Sequence, residues 1–188
     1  MIRPTVTEIE AEITRRKKLK AAFKSFRAAV STLIIVAAVA VLLATLLLPI
    51  IRVHQDSMEP TLMEDELMVF VTAGTVNRGD IVAFHYNDQV WVKRVIAVGG
   101  DSIDVDSRGV VSVNGEKLTE PYVEEFSIGE CTIGLPLNVP EDSVFVMGDN
   151  RAISMDSRIK EVGTIKLEKI VGKAVIRIWP LAKLGRPG

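Results

Sequence analysis

Three polar groupings in this chain have the residue types needed for covalent catalysis. Ser57 stands in Ser57-Met58-Glu59-Pro60-Thr61-Leu62. Lys93 and Arg94 interrupt the apolar run Val90–Val98. Gly148-Asp149-Asn150-Arg151 is followed by Ser154-Met155-Asp156-Ser157-Arg158. A serine hydroxyl attacks a carbonyl only when a nearby base takes its proton. Histidine is scarce, with only His54 and His85 in the chain. His54 lies three residues before Ser57 where no helix is indicated, and reads better as part of a polar connecting segment than as that base. His85 reads as a partly exposed residue at a strand end. Lysine can take the role instead, because burial strips water from the ammonium, lowers its pKa and frees the amine. Strand alternation puts Lys93 on one face with Trp91 and Val95, and Arg94 on the other. One of the two cations therefore faces the more buried side. From the strand alone, the commoner arrangement is that both reach water at a sheet edge. The Gly148–Arg158 stretch, taken alone, is a hydrogen-bonded turn after a buried strand.

The elements that must position these groups differ sharply along the chain. Residues 28–51 carry no charge over 24 positions. As a helix they would extend about 36 Å, enough for a hydrocarbon core of about 30 Å. A cleavable leader would have a shorter apolar region and a small-x-small site, whereas this run ends Leu46-Leu47-Leu48-Pro49-Ile50-Ile51. Residues 1–27 hold eight Lys/Arg against three Glu, a balance of +5, and residues 52–188 carry −6. By the positive-inside rule the basic tail is cytoplasmic and residues 52–188 lie outside. Within the tail, Glu8–Phe26 reads as a charged helix able to lie on anionic lipid. Ser57 follows Arg52 by five residues, so it lies no more than about 17 Å beyond the membrane exit.

From Glu66 onward the apolar residues form short runs: Leu67–Val71, Ile81–Phe84, Val90–Val98, Val110–Val113, Val144–Met147 and Ile170–Trp179. Turn residues separate them, with Asn114-Gly115 and Tyr86-Asn87-Asp88-Gln89 as hairpin tips. The expected fold is mostly β, an antiparallel-sheet domain behind one N-terminal transmembrane helix. Glu120–Pro140 reads as a long excursion from the sheet. An acidic outer part gives no case for a nucleic-acid partner, and none is expected. One cysteine, Cys131, excludes an internal disulfide framework, and it has no His or Cys cluster around it, so no metal is expected. Arg78-Gly79-Asp80 and Gly99-Gly100-Asp101 read as turns before and after strands, not as an adhesion tripeptide or a phosphate loop.

Four stretches in register resemble bacterial type I signal peptidases. They are Ser57–Leu62, Arg78–Phe84, Val92–Ile96, and Gly148–Arg151 continuing through Arg158. The resemblance covers most of residues 50–180, and the short stretch after Gly100 makes a compact Gram-positive-like enzyme the closer match. It implies a membrane-bound Ser/Lys endopeptidase, without cofactor, that removes signal peptides from exported preproteins. The implied cellular place is the bacterial cytoplasmic membrane. By the resemblance Ser57 is the nucleophile, Lys93 the general base, and Ser154 the residue that orients the lysine. Asp156 and Arg158 form a supporting ion pair, with Asp149 and Arg151 as further scaffold. The Ser57 N–H contributes to an oxyanion hole. Some members place a serine two residues before the nucleophile to bind the oxyanion; Gln55 stands there in this chain. Val53, Met58, Ile81, Val82, Ala83 and Phe84 are the expected pocket-lining residues. Ser/Lys chemistry also serves soluble self-cleaving repressors with related folds, but the charge-free span argues against that reading. A membrane-anchored β module that binds peptides without cleaving them is the third alternative.

Overall fold

The computed structural model describes residues 6–54, 56–72 and 74–187. The chain divides into two compact units, 1–46 and 47–188. In the first, the described residues form one α-helix, α1, Val6–Leu47. Its stretch Lys18–Leu43 is long and apolar enough to cross a membrane. Leu33, Ile34 and Ile35 are all more than 60% exposed. A helix that is apolar all round needs apolar surroundings. The helix absorbs the charged segment expected over Glu8–Phe26 and stops earlier than the apolar run does. Pro49 has no N–H to donate and disfavours helical geometry in the residue before it. Ile50 and Ile51, expected at the end of the span, instead enter the sheet.

Among the described residues the second unit contains eleven strands. They are β1 Ile50–Arg52, β2 Leu67–Val71, β3 Ile81–Tyr86, β4 Gln89–Val98, β5 Ser102–Val105, β6 Val111–Val113, β7 Glu116–Lys117, β8 Leu137–Asn138, β9 Ser143–Met147, β10 Ile165–Lys166 and β11 Ile170–Trp179. A seven-stranded sheet has the order β1-β2-β11-β3-β4-β9-β10, and a four-stranded sheet the order β7-β6-β5-β8. Every strand pair is antiparallel. Both expected hairpin tips occur. Asn87 and Asp88 have φ of 45° and 60° between β3 and β4, and Asn114 and Gly115 have φ of 55° and 81° between β6 and β7. Positive φ at both central residues matches the right-handed twist of the flanking strands.

β3 explains how the large sheet is buried on both faces. Val82 and Phe84 point into one apolar cluster with Val95, Val146 and Ile159. Ile81 and Ala83 point into another with Met58, Leu62, Met68 and Phe70. A third cluster joins the small sheet to the ends of β4 and β9 through Ile96, Ile103, Val111, Phe145 and Met147. Along β4 the register shifts between Val95 and Ala97. A bulge of this kind adds a residue and bends the strand. Full burial of each Phe side chain contributes about 2–3 kcal/mol, so these clusters fix the β4 register that places Lys93.

Candidate active site

Ser57 sits in a 3₁₀ turn, Asp56–Met58. The residues after it hold that turn down. Met58 and Leu62 are 1% and 0% exposed, and the Leu62 N–H donates to the Met58 carbonyl at 2.9 Å. The Val53 N–H donates to the Glu66 carbonyl, and Asp65 N–H returns to the Val53 carbonyl. Ser57 is 9% exposed. Lys93 lies on β4 opposite Val82 of β3 and is 2% exposed. Its Nζ is 2.5 Å from Ser57 Oγ, a buried contact between residues 36 positions apart.

Both cations of β4 are buried, so neither reaches water at a sheet edge. They are treated differently. Arg94 donates through Nε and one terminal nitrogen to the two Asp149 oxygens at 2.9 and 2.7 Å. Lys93 makes no salt bridge to a carboxylate among the described residues. Burial pushes the Lys93 ammonium down to about 8. The attraction of Asp156 opposes that shift, the Arg158 charge adds to it, and Asp149 opposes it. Desolvation acts against the charged form of an amine, so burial without a carboxylate partner leaves a fraction of this lysine neutral near pH 7.

The Gly148–Arg158 stretch wraps the backbone of Ser57. The Asn150 N–H donates to the Ser57 carbonyl at 3.1 Å, and Asn150 Nδ2 donates to the Asp56 carbonyl. A Cβ on Gly148 would lie 2.3 Å from Ser154 Oγ and 2.4 Å from the Ser57 carbonyl oxygen. Only glycine fits between the two serines. The Gly148 N–H donates to Asp156 Oδ2, and Asp156 takes a two-pronged bond from Arg158 at 2.8 Å on each side. Both residues of that pair are fully buried. Ser154 is 3% exposed, and its Oγ has no hydrogen-bond partner among the described residues.

Asp149 and Arg151, expected together as scaffold, have separate partners. Asp149 holds Arg94, and Arg151 holds Glu120 at 2.5 and 3.1 Å. Sequence reading assigned no role to Glu120, nor to Tyr122, whose ring centroid lies 3.9 Å from Arg94 Cζ. The one available signal was an acid and an aromatic flanking a proline inside a long excursion. Their partners lie about 30 residues away, beyond any local spacing rule.

A cavity of about 570 Å³ opens beside Ser57 and Lys93. β1 and the start of β4 wall it, and Val53, Met58, His54 and Trp91 contribute to its lining. Ile81, Val82, Ala83 and Phe84 lie in the core at 0–4% exposure, with β4 and β11 on their two edges. His54 is exposed and His85 is exposed at the end of β3. Gln55 lies outside the described residues. Among the described residues no group of three His, Cys, Asp or Glu could hold a metal ion.

Comparison with known proteins places this arrangement. A family model described as signal peptidase, peptidase S26, matches residues 26–179. A signal peptidase I of Leptolyngbya laminosa is 36% identical over 150 residues, covering 72% of this chain and 71% of its own. A signal peptidase I of Bacillus caldolyticus is 36% identical over 146 residues, covering 68% of this chain and 78% of its own. A crystal structure of a signal peptidase I from Enterococcus faecalis aligns with 53% of this chain and 97% of its own, at 29% identity and a TM-score of 0.44. A match that spans the helix end, both sheets and every polar grouping described above has one reading: the chain belongs to the S26 signal peptidase family.

Proposed function

We propose that this chain is a membrane-anchored endopeptidase that removes signal peptides from preproteins, with Ser57 as nucleophile and Lys93 as general base. The observation that carries the reading is the 2.5 Å contact between Ser57 Oγ and a buried lysine without a carboxylate partner. A neutral Lys93 accepts the hydroxyl proton as Oγ attacks the scissile carbonyl carbon. The resulting ammonium donates a proton to the leaving amine as the C–N bond breaks. Neutral Lys93 then takes a proton from water, which attacks the acyl-enzyme ester and releases Ser57. At a pKa of about 8, roughly a tenth of the enzyme is neutral at pH 7 before substrate excludes further water. Ser154, whose buried Oγ has no hydrogen-bond partner among the described residues, is assigned as the hydroxyl that would hydrogen-bond the amine and orient it during the reaction. The Ser57 N–H contributes to the oxyanion site.

The substrate is read as an extended peptide beside β4. β9 pairs with β4 only from Arg94 to Val98, so the edge of β4 from Gln89 to Val92 that faces away from β3 is open beside the cavity. An extended chain can add to such an edge through backbone hydrogen bonds while the cavity limits side-chain size. The anchor is the apolar part of α1, with the basic tail of residues 1–27 in the cytoplasm and the β unit, from about residue 52, on the outer face. Cleavage of a preprotein in detergent by the full chain and by Ser57→Ala tests the reading. Wild-type cleavage with none by Ser57→Ala supports it, and undiminished cleavage by Ser57→Ala contradicts it.

A further inference from the structure

The geometry points to Glu120 and Tyr122 as positioning residues for the Ser57–Lys93 pair, acting through the two arginines that clamp the turn on which Ser57 rests. This inference rests on the proposed roles of Ser57 and Lys93. Glu120 is 5% exposed and both its oxygens accept hydrogen bonds from Arg151. Arg151 Nε donates to the Gly148 carbonyl at 3.0 Å. Gly148 is the residue whose Cα has no room for a methyl between the Ser57 carbonyl and Ser154 Oγ. A displacement of Arg151 therefore moves the surface that Ser57 touches.

Tyr122 acts on the other arginine. Its hydroxyl donates to Glu120 Oε1 at 2.9 Å, and its ring covers the Arg94 guanidinium. Stacking of this kind holds a planar cation in one orientation. Arg94 in turn grips Asp149 and the Gly79 carbonyl, and reaches Thr61 Oγ1, four residues beyond Ser57. Glu120 and Tyr122 are thus tied to each other and to both ends of the Ser57 environment.

A later part of the same excursion packs on the scaffold residues Arg151 and Arg158. Arg158 donates to the Ser127 and Ile128 carbonyls. A Cβ on Gly129 would lie 2.5 Å from the Arg151 carbonyl oxygen and 2.9 Å from an Arg158 nitrogen. A Cβ on Gly109, in the β5–β6 connection, would lie 2.3 Å from the Ser127 carbonyl carbon. Packed interiors transmit displacement because they have little free volume. The excursion is a buttress between the small sheet and the catalytic turn.

Full-chain variants in detergent, assayed on a preprotein well below their melting temperatures, test this. Glu120→Gln keeps the shape and removes the charge that grips Arg151. Tyr122→Leu removes the ring, and Tyr122→Phe keeps it. Positioning requires that Glu120→Gln lower kcat at least tenfold with KM within twofold of wild type. Tyr122→Leu should lower kcat about fivefold, and Tyr122→Phe should restore most of that loss. A purely structural role would lower the melting temperature and leave kcat of the folded enzyme within twofold, which overturns the inference. If Glu120→Gln does not fold, the Tyr122→Leu and Tyr122→Phe pair decides alone. Ser57→Ala in parallel separates this failure from failure of the nucleophile assignment, since only the latter leaves Ser57→Ala active.

Discussion

Lys93 and Arg94 are adjacent on one strand and almost equally buried, but their electrostatic surroundings differ. The Arg94 guanidinium meets two carboxylate oxygens, a backbone carbonyl and an aromatic face, all of which support a permanent charge. On the Lys93 side the hydrogen-bond partner is a serine hydroxyl, and the Trp91 ring centroid is 5.7 Å from Nζ. Burial of a charge is costly unless it is paired. The molecule pays that cost at one position and avoids it at the next. The difference teaches that burial alone does not push a cation toward its neutral form. A lysine moves toward the neutral form when it is buried and the counter-ions are directed elsewhere, here to Arg94, Arg151 and Arg158.

The strongest way to break the comparison is to make the two sides alike. Lys93→Arg places on the catalytic face an ion that stays protonated at any working pH. Activity on a preprotein should fall by at least about 10⁴-fold, as for Ser57→Ala and Lys93→Ala, by analogy with losses seen when a nucleophile or its base is removed. Detectable cleavage by Lys93→Arg would show that a neutral amine is not required.

The paired side breaks in a different observable. Asp149→Asn leaves Arg94 buried without its counter-charge, and Asp156→Asn does the same to Arg158. Each should cost about 3–5 kcal/mol of stability, read from urea or guanidinium unfolding of the domain. A loss under 1 kcal/mol would mean that water or another group takes over.

The lysine side responds with the opposite sign. A base with a lowered folded-state pKa holds fewer protons than the unfolded chain between about pH 8 and 10.5, so stability rises with pH across that window. Below about pH 8 the full penalty applies, and above about 10.5 it vanishes. Lys93→Met should therefore raise stability at pH 7 by on the order of 3 kcal/mol while abolishing activity. That advantage should disappear in unfolding experiments near pH 10.5. The smallest effect belongs to His54→Ala, whose exposed ring lines the cavity. Its kcat/KM should stay within about threefold of wild type.

Legibility in the sequence divided along the same line. The long strands were readable because Val, Ile and Phe cluster there, and β11 begins and ends where the run Ile170–Trp179 does. β5, β7, β8 and β10 were not, because two to four residues with Ser, Asp, Glu, Lys or Asn among them carry no period. β1 was hidden inside the apolar run, since Ile50 and Ile51 are as apolar as the helix before them. At the site, alternation separated Lys93 from Arg94, but it could not say that both are buried. The partners that bury Arg94, namely Asp149 and Tyr122, arrive from distant parts of the chain. The resemblance supplied roles that spacing alone left open.

Titration of Lys93 itself tests the central claim most directly. Nuclear magnetic resonance of the full chain in detergent micelles, with ¹⁵N-labelled lysine and Lys93→Met for assignment, follows protonation of this one amine. The account requires a midpoint near 8, well separated from the other lysines. A midpoint near 10.5, with the remaining lysines, would mean that Lys93 is an ordinary ammonium at neutral pH and cannot be the base for Ser57.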